Sequence, residues 1–384
     1  MMFIITLIII FTIFMVLHFL SENYRVNKSL KVLSQYENQI LISNSTFSDK
    51  GRLCDYQVMS SFRPYTCIRQ KYDYVSLELL KAQMRFGSRF FWLDVFCEDL
   101  SAKPEPVIFN GRATGNYNYS LNKITFEDVI REIGLGAFTS GKVNNYFDPF
   151  IIGLNLNVRK NVHCLARIKE ILVEHCGNRL LDIEYSVRNT NKDISKIVLK
   201  DISGPKAKFI ILASRESEGS PLEELVNGYW DDAIGKETNV QAISYEAIDD
   251  QNYVDVIKQN TEQLRQYNKT QLTIVYPETD TIFTQQYDPQ FGLDYGCQFV
   301  CVNSLDVNDY MKTYIKKFNS NAFVLKDNVV YDEPGKKSNN TIPPKDGGGT
   351  QNTTPSPAIQ CPMGNVTESD TDTDYDSAWD AAIF

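Results

Sequence analysis

Residues 87–111 read GSRFFWLDVFCEDLSAKPEPVIFNG. Two short runs of aromatic and branched residues flank a polar, proline-containing turn, which is the pattern of two β-strands joined by a loop. Along the first run side chains alternate sides, so Trp92 and Asp94 share one face while Phe91, Leu93 and Val95 share the other. Asp94 is a lone carboxylate among apolar neighbours. Burying such a group unpaired is costly, so it is expected to face water, a cation or a ligand. The second run ends in Asn110 and Gly111, at a strand terminus, where a barrel would place functional groups.

Outward from this stretch, strand and helix patterns alternate. Residues 74–86 carry apolar side chains at helical spacing and stop at Gly87. Residues 125–137 predict a second helix with Thr125 as cap. Residues 149–156 (PFIIGLNL) read as a strand, followed by a helix over 159–175. Further strands are expected at 209–213, 272–276 and 298–302, with a helix over 253–267. Such alternation argues for parallel βα units and an α/β class.

Two blocks give a closer comparison. The first, G-x-R-x-x-x-L-D followed by E-P-V-x-x-x-G, lies within residues 87–111. The second is YPETDTIFTQQYDPQFGLDYGCQFVCVN at 276–303, followed by FNSNAFVLK at 318–326. In this order and spacing they resemble the two halves of the eukaryotic phosphoinositide-specific phospholipase C catalytic barrel, over roughly residues 60–326. The resemblance implies a TIM-type (β/α) barrel. It also implies phosphodiester cleavage by two histidines and a calcium ion, which lowers the pKa of the inositol 2-hydroxyl and neutralises developing charge.

The residues at those places depart from that chemistry. Where the family has Ser-His-Asn-x-Tyr, this chain reads Ser61-Phe62-Arg63-Pro64-Tyr65. Phe62 stands for the first catalytic histidine and Arg63 for a calcium-binding amide. Trp92-Leu93-Asp94 replaces Glu-x-Asp, so one calcium carboxylate of two remains. Asn110 stands for the second histidine and Asn155 for a further calcium carboxylate. The paired phosphate-binding lysines fall at Ala213 and Arg215, and the inositol-binding arginine at Ile274; Tyr276 is kept, and Ser244 matches a head-group serine loosely. The three histidines of the chain are His18, His163 and His175, none at a strand end. Asp94 has two readings, a structural carboxylate in the barrel mouth or a surviving ligand. If Arg63 lies near it, a third opens: a salt bridge in which a fixed cation replaces the metal.

Residues 1–20, MMFIITLIIIFTIFMVLHFL, contain no Asp, Glu, Lys or Arg. At 1.5 Å per residue they just cross about 30 Å of hydrocarbon. A cleaved signal peptide is the rival, but it calls for a basic start and a small-residue cleavage site, and neither is here. Arg25, Lys28 and Lys31 follow the span, which puts the barrel in the cytoplasm by the positive-inside rule. Seven Asn-x-Ser/Thr sequons, at Asn27, Asn44, Asn118, Asn268, Asn339, Asn352 and Asn365, pull the other way; an Asn- and Thr-rich composition accounts for them. The eight cysteines include no C-x-x-C pair, so no zinc site is expected and most are read as buried thiols.

The expected organisation is an anchor at 1–20, a stalk at 21–53 and a barrel at 54–331. Within the barrel, 54–182 is the first half, 183–240 a connection and 241–331 the second half. Residues 332–384 hold −6 of the net charge of −9 and are poor in apolar side chains, so they read as a disordered acidic tail. A pI near 5.1 and the lack of a basic stripe exclude nucleic acid as a partner. The expectation is a membrane-anchored phospholipase C-like pseudoenzyme, a scaffold or binding module for a phosphoinositide head group or a protein, with no cofactor. The head-group candidates are Asp94, Arg63, Arg215, Ser244 and Tyr276. The alternative is an active phosphodiesterase with altered acid–base groups, for which calcium would be the cofactor. Many Asn, Ile, Lys and Tyr residues suit a large DNA virus, and the membrane would then be that of a virion or its host.

Overall fold

In chain order the strands are β1 (Tyr56–Phe62), β2 (Phe90–Glu98), β3 (Glu105–Ile108), β4 (Gly111–Arg112), β5 (Tyr117–Asn118), β6 (Ile124–Thr125), β7 (Phe150–Asn157), β8 (Phe209–Ser214), β9 (Gly228–Asp231), β10 (Val240–Ser244), β11 (Leu272–Tyr276), β12 (Phe299–Val302) and β13 (Phe323–Leu325). Strands β1, β2 and β7 to β12 pair in parallel, each with the next, and β12 pairs back onto β1. The result is a closed eight-stranded parallel barrel of the TIM type. The computed structural model describes residues 2–37, 40–67, 72–98, 104–112, 117–189, 192–231, 239–245, 262–277, 287–305 and 308–327. The expected tail at 332–384 and most of the expected helix at 253–267 lie outside them.

The strands carry apolar residues on both faces because both are covered. Phe90, Trp92, Ile151, Ile210, Leu212, Ile274 and Phe299 fill the barrel interior. The alternate positions Phe91, Leu93, Val95, Ile152, Leu154, Phe209 and Ile211 meet the helices outside. Three of those helices are α2 (Leu77–Phe86), α3 (Phe126–Gly136) and α4 (Val162–Cys176). Each starts where a side chain can accept an orphan backbone N–H: Ser76 from Glu78, Thr125 from Asp128, Asn161 from His163 and Cys164. Helix α2 ends at Gly87, whose φ of +108° only glycine adopts without strain, and a Cβ there would run into Ile42.

At the base of β2 the buried Arg89 donates through Nη1 to Ala137 O at 2.8 Å and through Nη2 to Asn145 Oδ1 at 2.7 Å. The arginine of the G-x-R motif thus ties the strand start to the end of α3.

The connection at 183–240 carries the strand expected at 209–213, which is β8, and a further barrel strand, β9, that the sequence did not mark. The segment at 21–53, expected as a stalk, packs against the barrel unit. Its first part belongs to one continuous helix, α1 (Met2–Glu37), whose second half lies against α2. Leu33 packs with Ala82 and Leu305, and the Tyr36 ring meets Phe86 edge-on at 6.3 Å. Residues 1–331 cluster as one unit.

Candidate functional site

Strand register builds the site. Phe62 on β1 pairs with Trp92 on β2, and Asp94 two residues on pairs with Asn155 on β7. All three strands point the same way, so these side chains gather at the C-terminal mouth, where TIM-type barrels place their chemistry. Just past β1 the backbone turns sharply: Arg63 has φ +46°, unusual for a bulky residue. The turn is held by Thr66, whose N–H and hydroxyl both donate to Arg63 O, at 3.0 and 2.9 Å. The conformation sends the Arg63 side chain across the mouth.

There the guanidinium meets Asp94. Arg63 Nη2 is 2.5 Å from Asp94 Oδ2, and both side chains are buried. This contact is an ion pair by distance rather than an aligned hydrogen bond. Arg63 Nη1 donates to Asn110 Oδ1. Asn110 is itself fixed, its N–H donating to Ser120 Oγ at 2.7 Å and its carbonyl accepting from Tyr119 N at 2.7 Å. The other Asp94 oxygen, Oδ1, accepts from Trp92 Nε1 at 2.8 Å and from Asn155 Nδ2 at 2.9 Å. The Asp94 carboxylate therefore faces three nitrogen donors, one of them cationic.

An aromatic layer lies beside this pair. The Trp92 ring stacks on Trp230 at 5.0 Å and on Tyr276 at 4.8 Å, and the Arg63 guanidinium sits 4.9 Å from the Phe62 ring centre. Tyr65 accepts the Asp94 N–H at 3.1 Å. Burial, aided by the Asp94 charge, pushes the Tyr65 phenol well up, so it holds its proton at neutral pH.

The sequence candidates separate into two groups. Phe62, Arg63, Trp92, Asp94, Asn110, Asn155 and Tyr276 come together. Ser244 ends β10 opposite Tyr276 in register. Arg215 does not join them as a buried ligand; its half-exposed side chain lies 3.5 Å from Glu218. Ala213 turns outward into the layer beneath the helices, and Ile274 is interior core. Trp230 was not among the candidates. Its only signal is the Tyr229-Trp230 pair in a polar stretch.

Calcium takes six to eight oxygen ligands at roughly 2.3–2.6 Å. The family's calcium positions here hold Arg63, Trp92, Asp94 and Asn155. The sole carboxylate is engaged on both oxygens, Asn155 turns its amide nitrogen toward it, and a guanidinium stands beside it. That donor set does not fit calcium.

Two other clusters lie apart from the mouth. Glu127, Glu174 and His175 approach one another on α3 and α4, but Glu127 already pairs with Arg167 at 2.6 Å. A cavity of about 740 Å³ opens at the strand-start end of the barrel, lined by residues including Arg52, Asp55, Arg265 and Lys326.

The second half of this barrel has a match of its own. Residues 233–329 match the family model "Phosphatidylinositol-specific phospholipase C, Y domain". That segment carries β10 to β13. No curated protein sequence matches the chain. Among solved structures, the fold resembles S. officinalis PLC21, with a TM-score of 0.58 and 18% identity over 75% of this chain and 38% of that one. It also resembles L. pealei PLC21, with a TM-score of 0.57 and 20% identity over the same shares. The chain thus corresponds to well under half the length of those proteins. The likeness establishes a phospholipase C-like catalytic barrel as the fold.

Proposed function

We propose that this protein is a membrane-anchored phospholipase C-like barrel without hydrolase chemistry, acting as a scaffold or binding module at the bilayer. The carrying observation is the Arg63–Asp94 ion pair at the position where the family it resembles holds its metal. A guanidinium there supplies positive charge but no open coordination site and no proton acceptor. Phe62 cannot transfer a proton, and Asn110 can only hydrogen-bond. General acid–base groups contribute about 10²–10⁴-fold each, so losing both removes roughly 3–5 kcal/mol of transition-state stabilisation per group.

The anchor is the apolar stretch of α1, and Arg25, Lys28 and Lys31 favour a cytoplasmic barrel. The partner is either a phosphoinositide head group, held near Tyr276 and Ser244, or a protein.

The test is phosphodiester hydrolysis by the full chain in mixed micelles of phosphatidylinositol and its phosphates, with and without calcium. No release of inositol phosphates is expected, and no calcium binding at micromolar concentrations. Phe62→His, Arg63→Asn, Trp92→Glu, Asn110→His and Asn155→Glu together should create calcium binding, whereas no single one should. Calcium-dependent release by the unaltered chain, abolished by Asp94→Asn, would establish the active phosphodiesterase instead.

A further inference from the structure

The first turn of α3 and the last turn of α4 bring three metal-ligating side chains together. Ligand atoms of Glu127, Glu174 and His175 all lie within 4.8 Å of one another. Glu127 follows the Thr125 cap of α3, and Glu174 and His175 stand in the last turn of α4. The sequence allows the two helices to come close here. Residue 134 is glycine, and a Cβ on it would stand 2.3 Å from the His175 carbonyl oxygen.

The polar atoms of this cluster are not spent on one another. His175 Nε2 is buried and makes no hydrogen bond with any described residue. It faces Glu127 Oε1 at 3.8 Å, too far for a hydrogen bond. Arg167 takes the other oxygen of that carboxylate, its Nη2 donating to Glu127 Oε2 at 2.6 Å. Oε1 is thereby left turned toward the imidazole. Ligating carboxylates are commonly held in this way by a second group on the outer oxygen. Arg167 Nη1 also lies 3.4 Å from Glu170 Oε2. Three carboxylates, Glu127, Glu170 and Glu174, against one guanidinium leave two negative charges, which a divalent cation neutralises.

A histidinium paired with Glu127 would draw the two atoms together to about 2.8 Å. A shared ion holds them further apart. Bonds of about 2.0–2.1 Å to nitrogen and oxygen set tetrahedral ligands about 3.4 Å from one another. The observed 3.8 Å is nearer that spacing. Glu174 is exposed and can turn inward as the third ligand.

We propose that Glu127, Glu174 and His175 bind a divalent transition metal of the zinc class, with water in the fourth position, clasping the end of α4 to the start of α3. One imidazole nitrogen and two carboxylates suit zinc or cobalt, whereas calcium asks for six to eight oxygens. The clasp lies apart from the Arg63–Asp94 pair and does not depend on whether the mouth of the barrel hydrolyses anything.

The test is cobalt titration of the full chain in detergent micelles, followed by visible absorption. One equivalent should bind at micromolar cobalt, with d–d bands free of the charge transfer that cysteine thiolates would add. Zinc should displace it, and an equal concentration of calcium or magnesium should not. Loss of an outer partner already costs about tenfold or more in metal affinity, so His175→Gln and Glu174→Gln, which remove ligands, should each weaken binding by at least that. With a chelator present both variants should unfold at the urea midpoint of the native chain, and zinc should raise the midpoint of the native chain alone. Glu174 is exposed, so its variant carries the test if His175→Gln does not fold. Absence of saturable binding, thiolate bands, or an affinity unchanged in either folded variant overturns the site. Displacement by equal calcium overturns the class of metal.

Discussion

Arg63 Nη2 lies 2.5 Å from Asp94 Oδ2, with both residues sealed from solvent at the mouth of the barrel. Each charge was moved out of water at a cost that its partner offsets, together with the hydrogen bonds from Trp92 and Asn155 to Asp94 and from Arg63 to Asn110. A buried pair of this kind adds little net stability over an apolar substitute, yet breaking it is severe.

Removing one partner strands the other. Asp94→Asn or Arg63→Met alone should lower the unfolding free energy by about 3–5 kcal/mol. The double variant should lose clearly less than the sum of the two. Urea denaturation of the full chain in detergent micelles measures this cycle. Additive losses would show that the two side chains do not depend on each other.

The docked half of α1 should behave as barrel core. Leu33 is buried against Ala82 and Leu305, whereas Gln35 faces solvent. Leu33→Ala should cost about 2–4 kcal/mol of barrel stability, and Gln35→Ala no more than about 0.5 kcal/mol. Equal, small effects in thermal or urea unfolding would show that Leu33 is not part of the barrel core.

A third expectation concerns pH. Burial pushes the Asp148 carboxyl up to about 6, against the opposing charge of Arg89 and two hydrogen bonds from Ser45. A raised native pKa means the folded state holds the proton longer than the unfolded chain. Below the ordinary carboxylate range Asp148 is neutral in both states. Between there and pH 6 its contribution falls as pH rises, and by pH 7 it is constant. Asp148→Asn does not titrate, so its stability relative to the native chain should climb by about 2 kcal/mol from pH 4 to 6 and level off by pH 7. Urea midpoints at pH 4, 5, 6 and 7 measure it; a difference that does not vary with pH would remove burial of the ionised group as the cause.

Much of the barrel was legible because its strands are buried on both faces. Phe150–Asn157 and Leu272–Tyr276 appear as apolar runs bounded by turns, close to where they were expected. Strand β9 was not, since only Tyr229 and Trp230 stand out between Asn227 and Asp232. The docking of α1 was hidden for a different reason. Its contact face holds His18, Glu22, Arg25 and Ser29 beside Val26, Leu30, Leu33 and Tyr36, correctly spaced for one helix face but half polar. A search for apolar periodicity passes over it, because here the face is satisfied by hydrogen bonds and an ion pair as much as by burial.

The site was legible as a set of positions rather than as a geometry. Motif order placed Phe62, Arg63, Trp92, Asp94, Asn110 and Asn155 together. It could not show that Arg63 would also reach Asn110, because that depends on a left-handed backbone turn, which residue type does not announce. Nor could it show Trp92 sandwiched between rings from β9 and β11, a contact set by barrel closure across distant strands.

A metal ion held by a protein is in exchange with solution, and a chelator or a fall in free ion empties its site. The cation beside Asp94 is different, because it is covalently part of the chain. Its local concentration is set by a tether of a few bonds. On the function proposed above, the positive charge beside Asp94 would then not vary with free calcium: it is set at translation, not by a dissociation constant.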